Sequence, residues 1–253
     1  MLHHLRRGSG PPLVFQHGFL GSGACFEPQL AFFARHHDVI APDLPGFAGS
    51  AEQPYPGSVE GLAEALIGLL DSLGVDRFCL VGHSLGGLVA LQTALDHGAR
   101  VERLVLYGTS CRGAMPNRHE SFAETAARLE AEGVEPTAAR IARTWFADGE
   151  KAAAYRDCLE IACATPKETC IACLESLPRW DAAGRLSELC MPTLVIRGDR
   201  DRSYSRDEAL ALQRGIAGAR LWEVPDCAHC LHLEAPEAFN RALQAFLSEE
   251  AGR

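Results

Sequence analysis

No stretch of this chain approaches the length of a membrane-spanning helix. The N-terminal Met1-Leu2-His3-His4-Leu5-Arg6-Arg7 has no long apolar run behind its charges, so it does not read as a secretory leader. A cytoplasmic protein is expected. Basic residues are few beside acidic ones: 24 Lys and Arg against 33 Asp and Glu give a net charge of −9. Nothing forms a basic stripe, which argues against a nucleic-acid partner and against an anionic membrane surface. Internal repeats and low-complexity segments are missing too. What is left is a chain of 253 residues, 47% hydrophobic and 23% charged. That suits one large α/β domain with room for an inserted segment.

Cysteine is abundant, with ten in the chain. Without a secretion signal, free thiols are the expectation. Cys170…Cys173 and Cys227…Cys230 form two C-x-x-C pairs. A four-cysteine zinc site would use such pairs. The first pair, however, falls in an expected helix and the second straddles a candidate catalytic histidine. Isolated thiols, no metal and no cofactor are therefore expected.

The stretch Val81-Gly82-His83-Ser84-Leu85-Gly86-Gly87 carries the chemistry. It follows the apolar run Phe78-Cys79-Leu80-Val81, which has strand character, and it opens a helix. A serine with glycine two residues before and two after, between strand and helix, is the G-x-S-x-G nucleophile elbow. The sharp turn lifts the serine hydroxyl clear of the sheet, and glycines lacking Cβ let strand and helix close around it. The helix N-terminus then lies under negative charge developing beside Ser84.

Around this stretch, strands are expected at 13–16, 37–41, 78–81, 104–107, 192–198 and 220–224, with a short edge strand at 3–6. Helices are expected at 24–35, 58–73, 85–97, 205–216 and 236–247, with Ser58 as N-cap and Gly74 closing the second. The alternation argues for a largely parallel sheet covered on both faces. It breaks after Gly108. Residues 111–185 read as helical, with breaks at Gly133, Pro136, Gly149 and Pro166. This is too long for a simple crossover and is expected to be an inserted helical lid on a core formed by 1–110 and 186–253.

Serine needs a histidine to take its proton and a carboxylate to hold that imidazole. Asp199 and Asp201 follow one late strand and His229 follows the next. The order Ser…Asp…His, with His17-Gly18-Phe19, Asp43-Leu44-Pro45-Gly46, Gly82-His83-Ser84-Leu85-Gly86-Gly87 and Gly198-Asp199-Arg200-Asp201, resembles the α/β-hydrolase superfamily over nearly the whole chain. The resemblance implies the α/β-hydrolase fold: an eight-stranded, mostly parallel sheet flanked by helices, with a helical lid after the sixth strand. The N-terminus leaves hardly room for the first two strands, so one edge strand is expected to be missing. Carried over by position, the resemblance makes Ser84 the nucleophile, His229 the base and Asp201 the acid. Asp199 is the rival for the acid. The Thr109-Ser110-Cys111 loop, where the family sometimes places it, offers no carboxylate. The backbone N–H groups of Phe19 and Leu85 would form the oxyanion hole.

The remaining histidines have structural expectations. His83 should point away from the nucleophile, His17 should bond to turn backbone, and His232 matches no catalytic role. Trp145, Phe146 and Trp180 are candidates to line the substrate pocket, and Arg143 and Arg179 are candidates to anchor a carboxylate.

The expected substrate is a small-molecule carboxylic ester, lactone or thioester. Thr144-Trp145-Phe146 and the composition of the insertion resemble 3-oxoadipate enol-lactonases. The C–C hydrolases of aromatic meta-cleavage are the alternative. They often carry a Ser-Gly-Pro-Gly oxyanion loop, Asn before the serine and Trp after the catalytic histidine, where this chain has Phe19-Leu20-Gly21-Ser22, His83 and Cys230. The menaquinone-pathway lyase typically has Arg at the position of Leu88. Haloalkane dehalogenases need an Asp nucleophile, which Ser84 excludes. A non-catalytic binding protein of the same fold is the remaining class. Neither oligomeric state nor natural substrate is legible.

Overall fold

A computed structural model of the chain describes residues 1–115 and 120–249. Among them seven strands form one sheet: β1 (His4–Arg7), β2 (Pro12–Gln16), β3 (Asp38–Pro42), β4 (Phe78–His83), β5 (Val101–Tyr107), β6 (Thr193–Gly198) and β7 (Arg220–Val224). Their spatial order is β1-β3-β2-β4-β5-β6-β7. Only β1 runs antiparallel to its neighbour. The sheet is thus one strand short of eight, and the N-terminal edge carries β1 alone before β2.

Successive strand residues point to opposite faces, and both faces are apolar. Val14, Leu80, Leu104, Leu106 and Val195 enter one core layer. Leu13, Phe15, Val81, Val105 and Ile196 enter the other. The first layer is closed by α2 (Val59–Ser72), α3 (Leu85–Asp96) and α8 (Arg206–Gly215), the second by α1 (Glu27–Phe33) and α10 (Pro236–Leu247). Each buried Leu, Val or Phe contributes about 1.5–3 kcal/mol, so the two layers supply the dominant folding term.

Helix ends follow their local chemistry. Ser58 caps α2 by accepting from Gly61 N–H at 3.1 Å. Gly74, at φ +70°, closes it, with Gly74 N–H donating to Asp71 O and Val75 N–H to Leu70 O. Two expectations need correction. The helix expected at 24–35 begins as a 3₁₀ turn, Gly23–Phe26, capped by Ser22, and the α-helix starts only at Glu27. Pro28 stands in its first turn, where a missing N–H costs nothing. For the same reason Pro136 does not break a helix: it lies in the first turn of α5 (Val134–Ala142). The break is Gly133, at φ +86°, between α4 (Phe122–Glu132) and α5.

Between β5 and β6 the described chain is helical: α4, α5, α6 (Tyr155–Cys163) and α7 (Lys167–Ser176), joined by 3₁₀ turns. Residues 116–119 of the expected insertion lie outside the described residues. Its two ends are tied together by Gly113 N–H to Trp180 O and Ala182 N–H to Cys111 O, both 2.9 Å. The helices share an apolar cluster that Leu20 and Cys230 of the sheet domain enter, which seats the segment over the loops that follow the strands. Among the described residues no helix is long and apolar enough to cross a membrane.

Candidate active site

Four strands deliver the site at their C-terminal ends. Ser84 follows β4, Gly108 follows β5, Asp201 follows β6 and His229 follows β7. This edge is where parallel α/β sheets bind ligands.

Ser84 sits at φ 55° and ψ −119°, a strained conformation for a residue with a side chain. Its N–H donates to Tyr107 O at 3.1 Å, and Thr109 Oγ1 donates to its carbonyl at 2.8 Å. The flanking glycines are there for space. A Cβ on Gly82 would lie 2.4 Å from Gly86 O, and one on Gly86 would lie 2.2 Å from Gln16 O. A Cβ on Gly18 would lie 2.9 Å from Ser84 Cβ, which brings the His17-Gly18-Phe19 turn directly against the serine. Phe19 and Leu85 flank Ser84, and neither backbone N–H donates to an acceptor among the described contacts.

His229 is buried, and its Nδ1–H faces Asp201 Oδ2 at 3.0 Å. The other carboxylate oxygen of Asp201 accepts from Ser203 N–H at 2.7 Å and Tyr204 N–H at 3.2 Å. The carboxylate is therefore oriented before it meets the ring. Asp199 is exposed, and among the described residues it is Asp201 whose carboxylate meets His229. With Nδ1 protonated toward Asp201, Nε2 carries the lone pair.

Ser84 and His229 stand at the junction of two cavities. The outer one has about 780 Å³ of free space and runs under the helical segment, past Phe122, Ile141, Arg143, Trp145 and Tyr204. The inner one has only about 30 Å³, lined by Cys25, His83, Cys158, Cys230 and His232 among others. A small organic molecule fits the outer cavity, whereas the inner one has room for a water or an ion.

Of the aromatic residues singled out from the sequence, Trp145 lines both cavities. Phe146 does not reach either. It is fully buried in the apolar cluster of the helical segment, edge-on to Tyr155. Trp180 does not either: it is buried in the sheet-side core, where its indole N–H donates to Gln92 Oε1 at 2.8 Å. Arg143 borders the outer cavity beside Glu150, while Arg179 is exposed away from both. Cys25 and Cys158, which no motif marked, line the inner chamber because distant segments converge there.

Three buried histidines surround the site in neutral form. His17 accepts from Leu44 N–H at Nε2 (2.9 Å) and donates from Nδ1 to Gly18 O (2.8 Å), so it fixes the turn carrying Phe19. Burial lowers its pKa, with the Asp43 charge opposing. His83 stacks on Tyr107 at 4.5 Å and donates from Nε2 to His229 O at 3.1 Å. Burial, then the proximity of His229 and His232, pushes it well down. His232 is lowered to about 3, chiefly by burial and then by His229. The thiols go the other way. Burial pushes Cys230 well up, and the Cys25–Cys158 contact lowers Cys25 while raising its partner. The two C-x-x-C pairs do not converge. Cys227 and Cys230 enter different core clusters, as do Cys170 and Cys173.

The sequence model describing the alpha/beta hydrolase fold matches residues 11–236. The chain belongs to the α/β-hydrolase family. Among relatives of this α/β-hydrolase is a protein named putative carbamate hydrolase RutD of Agrobacterium fabrum, 25% identical over 97% of this chain and 96% of that one. The 2-hydroxy-6-oxo-6-phenylhexa-2,4-dienoate hydrolase of Comamonas testosteroni is 29% identical over 98% of this chain and 92% of its own length. Among solved structures, the enol-lactonase of Burkholderia xenovorans LB400 superposes with a TM-score of 0.90 at 26% identity, covering 98% of this chain and 96% of that one.

Proposed function

We propose that this α/β-hydrolase cleaves a small carboxylic ester, lactone or thioester through an acyl-enzyme on Ser84. The observation that carries the reading is the buried His229–Asp201 pair at 3.0 Å, whose His229 shares a cavity with a serine held at φ 55°. Substrate enters the outer cavity and its carbonyl carbon approaches Ser84 Oγ. His229 Nε2 takes the hydroxyl proton as the C–O bond forms, and Asp201 stabilises the imidazolium. Phe19 and Leu85 N–H groups receive the oxyanion. His229 returns the proton to the leaving group, then activates water to release the acid. The α4–α7 segment roofs the outer cavity and acts as a lid that keeps bulk water out. No metal or cofactor takes part in this scheme.

The likeness to a dienoate hydrolase supports C–C cleavage as a second reading. Phe19, Leu20, His83 and Cys230 weigh against it, because a C–C hydrolase must first ketonise a dienol and needs polar groups along the carbon skeleton. An ester hydrolase needs only the triad, two N–H donors and a fitting pocket.

The experiment compares kcat/KM for short aryl esters, an enol-lactone and a meta-cleavage dienoate, with Ser84→Ala as blank. Ester or lactone turnover should fall by about 10⁴-fold or more in Ser84→Ala, and fluorophosphonate should label Ser84. Turnover unchanged in that variant ends the reading. A dienoate preferred about a hundredfold over every ester and lactone promotes the alternative.

A further inference from the structure

The inner chamber holds a donor set that the proposed hydrolysis does not use. Ring nitrogens of His83 and His232 and the sulfur of Cys230 lie within 4.8 Å of one another, all three side chains buried. His232 is 1% exposed and neither of its ring nitrogens makes a hydrogen bond. The Cys25 backbone near the ring favours its protonated form. A buried ring nitrogen left without a hydrogen bond is costly, about 1–3 kcal/mol per group, and calls for a partner. The free space beside them, about 30 Å³, admits nothing larger than a water or an ion.

We propose that His83, Cys230 and His232 bind one soft d¹⁰ cation, Cu(I) or Zn(II), and that its occupancy inhibits the enzyme. Two imidazoles and a thiolate in a buried chamber match the ligand preference of such ions. Three donors suffice for trigonal Cu(I). Cys25 lines the same chamber but stands outside this group of three, so a water would complete a tetrahedral Zn(II) shell. On binding, the Cys230 thiol gives its proton to solvent and a sulfur–metal bond replaces the S–H bond, with no change of oxidation state. Inhibition rests on the proposed catalytic role of His229. His83 donates to His229 O at 3.1 Å and its ring lies 4.5 Å from the His229 ring, so drawing His83 onto a metal ion shifts the loop that places His229.

The test uses the full chain, freed of metal by chelator. Zn(II), and separately Cu(I) under anaerobic reducing conditions, are titrated by competition with a chromophoric chelator, and anomalous diffraction maps locate each ion in crystals. The expected map peak lies between His83, Cys230 and His232. Cys230→Ser and His232→Phe should each weaken affinity by more than about 100-fold, while Cys190→Ser, at an exposed thiol, leaves it unchanged. A peak only elsewhere, an ordered water alone in the chamber, or unchanged affinity in both ligand variants overturns the site. Should a variant not fold, the map of the native chain decides. Occupancy without loss of ester turnover overturns the inhibitory half. If no substrate is turned over, the hydrolase reading fails while the binding data still decide the site.

Discussion

At the scale of single residues, the site depends on atoms that have one place to be. Asp201 Oδ2 faces His229 while Oδ1 is held by two backbone N–H groups. Under the proposed mechanism Asp201→Asn should therefore lower kcat by about 10⁴-fold, because the imidazole would lose its tautomer control. Asp199→Asn, at an exposed position, should stay near the native rate. Steady-state kinetics on one ester separates the two, and equal losses would reverse the assignment. Gly86 is constrained as tightly. A methyl there would meet Gln16 O at 2.2 Å and His17 O at 2.5 Å, both backbone. Gly86→Ala should cost about 1–3 kcal/mol or more, read as a lower urea midpoint with unchanged slope. The Asp201–His229 contact and the close packing at Gly86 were legible in the sequence, because the elbow and the aspartate-loop spacing encode local geometry. The inner chamber was not. Cys25, His83, Cys158 and His232 meet only after the chain folds, and no local spacing announces contacts across more than 50 residues.

At the scale of elements, the strands could be read because each is a short apolar run between turn residues, buried on both faces. Helix starts were less legible. Proline marks a break in an interior but is welcome in a first turn, and both Pro28 and Pro136 occupy first turns. The pocket-facing side of the helical segment was least legible. Trp145, Phe146 and Trp180 look alike in sequence, yet one faces the cavities and two face separate cores. Besides the shared apolar cluster, two polar ties near His229 hold this segment on the sheet domain. Cys230 N–H donates to Trp145 O at 2.9 Å. Glu234, in the short helix α9 (Leu231–Glu234), accepts from Ala147 N–H at 2.7 Å and Ala228 N–H at 2.6 Å, one on each carboxylate oxygen. The carboxylate thus couples the loop carrying His229 to the segment carrying Trp145. Glu234→Gln places an NH₂ against one of these donors. It should destabilise the fold by about 1–3 kcal/mol and lower kcat with a smaller change in KM, since His229 loses its support. Loss of stability with native kinetics would make Glu234 a structural tie only.

At the scale of the whole molecule, the buried histidines decide how stability responds to acid. The net charge of −9 governs solubility, not this response. His17, His83 and His232 all have folded-state pKa values pushed below the ordinary 6.5, with burial the largest cause at each. Around them lie His229, the Asp43 carboxylate near His17, and the thiols of Cys25 and Cys230. In the unfolded chain these rings take up protons near pH 6.5; in the fold they do not. Below that pH the unfolded state binds more protons, so stability falls as pH falls. The contribution is intact above about pH 6.5 and is lost progressively toward the folded-state values, about 3 for His232. Each ring adds at most about 1.4 kcal/mol per pH unit in that window. Urea unfolding in metal-free buffer at pH 7.5, 6.0 and 5.0 should show the midpoint falling steeply below pH 6.5. His232→Phe should flatten that slope by about one proton's worth, because phenylalanine keeps the apolar contact with Phe26 and Phe239 and has nothing to titrate. A native-like slope in His232→Phe would mean that His232 is protonated or hydrated in the fold.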